Sequence, residues 1–248
     1  MKLKCGLAGL AMFAAAGGVA ANAAEDKLIG RWTFDDGSGR NAASDAFHAT
    51  SAAPLKTVPG VFGNAIEITA PNTKIEVPAS VLPEKTRAVT FSAWIAPTAL
   101  NGNIFRKEDV GRYGEMRLLM ALQDGRFLTL GLNCGNSYRE CDALISPDEL
   151  LDGGWHLVTG TFDGKTMRVY LDGREIGSME RQVPLMTVHD YSPVTVSRDD
   201  IATKNYKTLD AVTERGVPLR IGSENYKGDS FRGKLDDARF YTTALSAA

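Results

Sequence analysis

The chain has 248 residues, 44% of them hydrophobic, and a formal net charge of -2 at pH 7. Nothing in this slightly acidic balance suggests binding to nucleic acid or to an anionic membrane surface. A zinc site is not expected either, because none of the three histidines has the spacing of a ligand pair.

Residues 1–23 have the pattern of a secretory signal. Lys2 and Lys4 precede an alanine-rich apolar run, and "ANA" at 21–23 supplies small residues for cleavage. The run is too short and too rich in small residues for a membrane anchor. We therefore expect a secreted, periplasmic or cell-surface protein without a membrane span, whose mature part, residues 24–248, forms one large domain.

The mature part consists of short alternating runs separated by Gly, Asp, Asn and Pro. In "AVTFSAWIAP", Val89, Phe91, Ala93 and Ile95 share one face, and similar alternation occurs in "GRWTF" and "KTMRVYL". Asp172-Gly173 is typical of a two-residue hairpin turn. No long stretch repeats at helical spacing, so the sequence predicts an antiparallel all-β protein.

Two further segments interrupt this rhythm. "SPDELLDGGW" predicts one helical turn, with Pro147 at its first position. The polar segment 182–216 shows no clean alternation and is interpreted as a long insertion, either functional or decorative, between two strands.

Cys134 and Cys141 lie close together in "NCGNSYREC". In an oxidising compartment this spacing predicts a disulfide that closes a small loop. The alternative is two unpaired thiols.

Six segments, in this order, resemble the laminin-G-like, concanavalin A-like jelly-roll domains of secreted bacterial proteins. They are "GRWTFDDGSG", "VPGVFGNAIEI", "VTFSAWIAP", "GGWHLVTGTFDGKTMRVYLDGREIG", "PLRIGS" and "FRGKLDDARFYTTALS". The resemblance implies a two-sheet antiparallel jelly-roll sandwich, often with bound calcium. Members of this family often bind glycans or accompany glycan-active domains. The 182–216 insertion departs from the family pattern.

The adjacent acids in "KLDDARFY" raise the question of where their carboxylates point. If Phe240 faces the core, strict alternation places Asp236 inward, and the same alternation places Asp36 inward at the end of the first strand. The resemblance implies that these strands adjoin and that the two carboxylates hold a structural calcium ion. Asp35 and Asp45 are weaker candidates for the remaining positions.

A simpler interpretation needs no ion. Asp36 then caps a turn, and Asp236 pairs with Arg239 or Lys234.

The favoured function is a non-catalytic binding module for carbohydrate. Sugar ligands need aromatic and polar groups, usually on loops of a rigid scaffold. Trp94 and Trp155 are expected to lie in the core rather than to serve as sugar platforms. The candidate ligand-binding residues are Tyr138, Arg139, Tyr191, Tyr206 and Tyr226.

Two alternatives remain. The first is a protein-adhesion or structural domain of the cell envelope, with an extracellular protein as partner. The second, less favoured, is a polysaccharide lyase or hydrolase. No Glu-x-Asp-x-x-Glu run is present, and only the insertion, with His189 and Tyr191, offers groups for proton transfer. No catalytic residue is therefore assigned.

The last residues, "YTTALSAA", break the alternation of the final strand. In the resembling domains a comparable segment leads into a short acidic turn or helix. We therefore expect the native chain to continue into a downstream domain, for which a glycan-active enzyme is the favoured candidate. The alternative is a complete protein whose last strand frays.

Overall fold

The computed structural model describes residues 27–69, 73–82, 86, 88–108, 117–134, 137–180, 194–195, 207–208, 218–222 and 230–246. Side chains at 108, 117, 133, 134, 137, 138, 194, 195, 207 and 208 are not among those described. The expected signal, most of the insertion, and Tyr191, Tyr206 and Tyr226 lie outside the described residues.

The described chain forms two antiparallel sheets in a jelly-roll sandwich, as the sequence predicted. Sheet A has eight strands in the order β13-β12-β11-β6-β17-β4-β3, with β1 also paired to β17. Its strands are β1 Leu28–Trp32, β3 Thr57–Pro59, β4 Asn64–Ile68, β6 Val89–Pro97, β11 His156–Phe162, β12 Thr166–Leu171, β13 Arg174–Glu180 and β17 Gly233–Tyr241.

Sheet B has seven strands in the order β10-β9-β8-β7-β16-β5-β2. They are β2 Thr50–Ser51, β5 Ile75–Val77, β7 Gly102–Glu108, β8 Arg117–Gln123, β9 Phe127–Cys134, β10 Ser137–Leu144 and β16 Leu219–Ile221. Within the insertion, β14 (Val194–Thr195) pairs with β15 (Lys207–Thr208).

The core lies between the two sheets and consists of alternate residues of their strands. Phe91 of sheet A stacks on Phe240 at a centroid distance of 5.0 Å and lies 5.1 Å from Phe105 of sheet B. The predicted inward face of β6 is confirmed, since its four apolar residues are fully buried. Burial of these large side chains is the main source of the fold's stability.

The predicted turn and helix are both present. Asp172 and Gly173 have positive φ values of 50° and 79° in the β12–β13 hairpin, as a two-residue turn of this kind requires. Helix α1 spans Pro147–Leu150 and begins without a side-chain cap on Ser146. Within the described residues, no helix is long and apolar enough to span a membrane.

Strand β17 contains a β-bulge at its adjacent acids. Trp94 and Ser92 are two positions apart on β6, but their partners on β17, Asp236 and Arg239, are three apart. Asp237 accommodates the extra residue with a φ of 46°, and the bulge shifts the phase of the alternation. The prediction that Asp236 faces the core, which assumed strict alternation, is therefore wrong. Asp236 and Arg239 both lie on the outer face of sheet A, whereas Leu235, Ala238 and Phe240 enter the core.

The predicted disulfide is not formed. Cys141 is a free, buried thiol opposite Leu130, whereas Cys134 stands opposite Ser137 at the other end of the hairpin. Four positions along a strand correspond to roughly 13 Å, about twice the Cα separation that a disulfide can bridge. Burial raises the pKa of the Cys141 thiol to about 11, so this group is an unreactive part of the core.

Candidate functional site

The outer face of sheet A carries an aromatic surface, defined here as Phe62, Trp94, Trp155 and Leu157. Trp94 alternates with the buried residues of β6 and is partly exposed, and its partner on β11 is Leu157. Trp155 immediately precedes β11. It is two positions before Leu157, so it lies on the same face, and it is also partly exposed. The expectation that both tryptophans lie in the core is therefore wrong.

Phe62 completes the aromatic surface from the turn between β3 and β4. Its side chain is 37% exposed. Its ring meets that of Trp94 edge-on, with centroids 6.4 Å apart and an interplanar angle of 78°. This is one of the favoured geometries for an aromatic pair. The two rings therefore form one continuous apolar surface that is partly exposed to solvent.

The turn that carries Phe62 is fixed by Asp236. The amides of Val61 and Phe62 donate hydrogen bonds of 2.7 and 3.0 Å to Asp236 Oδ2. A Cβ at Gly60 would come within 2.5 Å of the same oxygen, so glycine permits this close approach. Asp236 therefore has a structural role. It lies on the outer face of sheet A, where its carboxylate holds the turn that carries Phe62.

Asp35 fixes the other end of the same turn. The amide of Asn64 donates to Asp35 Oδ1 over 2.9 Å, and the Asn64 side chain donates to the Asp35 carbonyl over 2.8 Å. Gly63, with a φ of 61°, passes against this carboxylate. Two carboxylates, Asp35 from the segment after β1 and Asp236 from β17, thus hold one five-residue turn, Gly60 to Asn64.

The predicted calcium ligands can be compared with this geometry. Asp36 is exposed and accepts a 2.8 Å hydrogen bond from the amide of Ser38, which is the turn-cap alternative. The Ser38 hydroxyl, and after it the Ser38 amide, lowers the pKa of Asp36. Asp45 is also exposed. Among the described residues no three His, Cys, Asp or Glu side chains form a group that could hold a metal ion.

Asp236 differs from Asp35 and Asp36 because its unpartnered oxygen is buried. The residue is fully buried, and its Oδ1 has no hydrogen-bond partner. Burial is the main cause that raises the pKa of this carboxyl. Asp236 Oδ1 is therefore available to a ligand, and calcium binding stays a prediction.

A charged cluster lies beside the aromatic surface. Arg31 Nε donates to Asp237 Oδ1 over 2.7 Å, and Arg239 contacts the other oxygen of the same carboxylate. The Asp237 side chain is 1% exposed, but those of Arg31 and Arg239 are 38% and 31% exposed. The simpler interpretation paired Asp236 with Arg239 or Lys234. In the structure Arg239 pairs with Asp237 instead, and Asp236 bonds to the backbone amides of the turn.

At the start of β11, His156 stands opposite the buried Ile95 of β6 and is held between two carboxylates. Its Nδ1 lies 2.9 Å from Asp172 Oδ2 and its Nε2 lies 3.1 Å from Asp152 Oδ1. Burial by itself lowers the pKa of His156, but the two carboxylates outweigh this effect and the net pKa is raised. The imidazole therefore ties the segment before β11 to the β12–β13 hairpin, and both of its nitrogens are occupied.

Comparison with known proteins agrees with this architecture. The family model described as the concanavalin A-like lectin/glucanases superfamily, Laminin_G_3, matches residues 69–212, more than half of the chain. The chain belongs to this superfamily. No curated protein sequence matches it significantly.

Solved structures of similar fold include a domain in complex with a saccharide and the binding domains of two toxins. Domain 4 of AbnA, an extracellular arabinanase from Geobacillus stearothermophilus, in complex with arabinotriose, is 17% identical with a TM-score of 0.61. That match covers 89% of this chain and 95% of the domain. The binding domain of botulinum neurotoxin DC in complex with SialylT is 13% identical, with a TM-score of 0.59.

The neurotoxin match covers 90% of this chain and 50% of the toxin chain. The binding domain of Paraclostridial Mosquitocidal Protein 1 shows the same coverage, with 15% identity and a TM-score of 0.60. This chain thus spans about half the length of those toxin chains. At these identities the similarity establishes the fold.

Two of the predicted ligand residues of this concanavalin A-like domain lie in the described part of the chain, on sheet B rather than on the aromatic surface of sheet A. Arg139 is exposed on β10 of sheet B, and Tyr138 lies beside it on the same strand. The other three tyrosines lie outside the described residues. A signal for the missed surface was present in the sequence: if Ala93 and Ile95 face the core, alternation alone places Trp94 on the opposite face.

Proposed function

We propose that this domain is a glycan-binding module whose ligand stacks on the aromatic surface. The observation that carries the proposal is the solvent-facing pair of Phe62 and Trp94 on a sheet whose outer residues are otherwise mainly polar. Partly exposed aromatic rings present a flat apolar face, and neighbouring polar groups supply direction. Export, as expected from residues 1–23, would bring such a module to extracellular or cell-surface glycans.

The rigidity of the surface supports a binding role. Trp94 lies on a central strand between β11 and β17, and two carboxylates fix the turn that carries Phe62. A preformed surface loses little conformational entropy when a ligand binds. His156, which lies between Trp155 and Leu157 in the sequence, has both ring nitrogens engaged by aspartates, so neither nitrogen is free for proton transfer to a substrate.

The test is binding of the purified domain to arabinotriose and to a panel of plant and animal glycans, measured by glycan array and isothermal titration calorimetry. We expect at least one saccharide ligand, with affinity reduced about tenfold or more in Trp94→Ala, because a central aromatic contact is lost. Leu144→Ala is the matched control, since Leu144 is an exposed apolar residue (69%) at the end of β10 in sheet B.

A panel without any saccharide ligand would overturn the proposal and favour the protein-adhesion alternative. Equal losses in Trp94→Ala and Leu144→Ala would place the ligand elsewhere on the domain. Circular dichroism and thermal melting of each variant establish that the fold is retained.

A further inference from the structure

The outer face of sheet A places positive charge on both sides of Trp94. Arg239 opposes Ser92, and Lys234 opposes Ala96, the residues two positions before and after Trp94 on β6. Residues two apart on a strand share a face, and their cross-strand partners are diagonal neighbours within reach of long side chains. A ring stacked on Trp94 would therefore have one cationic residue at each end.

Each of these two positions belongs to a cluster with more cations than anions. Arg31 and Arg239 share the single carboxylate of Asp237, which is their acidic partner in the described part of the chain. On the other side, Glu67 pairs with Lys56 and also stands opposite Lys234. Each cluster contains two cations and one carboxylate, so each keeps about one positive charge.

Two other carboxyls lie at the turn that carries Phe62. Asp35 is exposed and accepts a hydrogen bond from the Asn64 amide, so it offsets part of this positive charge. Asp236 does not offset it at the surface. It is fully buried beneath the turn and uses Oδ2 for two backbone amides. The chain as a whole has a formal net charge of -2. The positive charge at the aromatic surface is thus local and opposite in sign to the net charge of the protein.

From this arrangement we propose that the aromatic surface selects acidic saccharides, with a sugar ring on Trp94 and its carboxylate or sulfate groups at Arg31, Arg239 and Lys234. The inference rests on the proposed glycan-binding function and specifies its ligand class. Guanidinium groups bind carboxylate and sulfate oxygens through paired hydrogen bonds. The side chains of Arg31 and Arg239 remain partly exposed while they contact Asp237.

The experiment compares matched ligands. Oligogalacturonate is measured against the same oligomer with its carboxyl groups reduced, and chondroitin sulfate against desulfated chondroitin, by isothermal titration calorimetry. We expect the wild-type domain to bind at least one acidic ligand about tenfold more tightly than its less charged counterpart. The first pair reports on carboxylates and the second on sulfates. The preference is expected to weaken at high salt, because exposed charges are screened.

Three variants test which cationic side chains cause the preference for acidic saccharides. Arg31→Gln removes one positive charge and leaves Arg239 to neutralise Asp237, so the fold is retained. Lys234→Gln removes a positive charge from the other cluster without touching a buried group. Each is expected to reduce the acidic preference about fivefold with little effect on the neutral ligand. Arg126→Gln, in the β8–β9 turn of sheet B, removes the same formal charge and is expected to change nothing.

The outcomes separate the two proposals. Equal affinity for the acidic and neutral members of each pair would overturn the acidic preference and leave glycan binding intact. Loss of preference in Arg126→Gln to the same extent as in Arg31→Gln would overturn the location of the selective charges. Absence of binding to every saccharide would overturn the proposed function itself.

Discussion

His156 joins two elements through its two ring nitrogens. Asp152 precedes β11 and Asp172 begins the β12–β13 turn, so the imidazole bridges segments that the backbone alone does not connect. The same two carboxylates hold backbone amides, those of Gly154 and Leu157. The protonated ring donates to both carboxylates, whereas the neutral ring can donate to only one of them. Protonation of one residue therefore strengthens this region of the fold.

This arrangement predicts a pH-dependent stability. Because the pKa of His156 is raised in the folded state above its ordinary value of 6.5, its stabilising contribution is complete below that value and is lost as the pH rises through the folded pKa. We expect a lower free energy of unfolding at about pH 8 than at about pH 6, measured by urea denaturation. His156→Gln should reduce this difference.

An unchanged pH dependence in His156→Gln would show that other groups cause it. Lys107 acts in the opposite direction. Burial lowers the pKa of its ammonium to about 8, so its contribution makes the free energy of unfolding rise with pH, mainly above that value and only slightly at the upper end of the comparison.

At the level of elements, the bulge in β17 and the turn between β3 and β4 depend on each other. The bulge places Asp236 on the outer face, where its carboxylate holds the amides of Val61 and Phe62. The turn in return covers Asp236. Phe62 is therefore positioned by a residue 174 positions later in the sequence, and the aromatic surface exists only when both elements are in place.

Replacement of Asp236 tests this dependence. Asp236→Ala leaves two amides without their acceptor, and we expect it to lower the free energy of unfolding by about 2 kcal/mol. It should also weaken glycan binding through a less ordered Phe62. Asp236→Asn keeps one acceptor oxygen and should bind the ligand more tightly than Asp236→Ala. Equal affinities for wild type and Asp236→Ala, measured by calorimetry, would contradict the positioning role.

At the level of the whole molecule, β17 connects the first strand to the rest of sheet A. It pairs with β1, β4 and β6, so whatever stabilises its bulge stabilises the sandwich as a unit. The free Oδ1 of Asp236 lies at this junction. An unpartnered buried oxygen is costly, and a bound cation would remove that cost.

The calcium prediction is therefore tested by thermal melting. We expect a chelator to lower the melting temperature of the wild-type domain and added calcium to restore it, because an ion bound only to the folded state stabilises that state. Asp236→Asn should melt at the same temperature with and without chelator. A wild-type melt that does not respond to chelator would contradict calcium binding at this position.

The sequence alone was sufficient for the fold class, because alternation and turn residues are local properties. Val89, Phe91, Ala93 and Ile95 had to share a face, and Asp172-Gly173 had to turn, whatever lay across the sheet. The same alternation placed Trp94 outward, although we expected it in the core. Tryptophan is usually buried, but the alternation of its own strand decides which face Trp94 occupies.

Only the tertiary structure shows that the aromatic residues form one surface and on which face of β17 Asp236 lies. A β-bulge is a relation between two strands, so "KLDDARFY" cannot show that Asp236 and Arg239 fall on one face until β6 stands beside it. The pairing of Cys141 with Leu130 similarly depends on the hairpin register. Local patterns are fixed by the backbone of each segment, whereas contacts between distant segments are fixed by how the two sheets pack, and the proposed binding surface consists of such contacts.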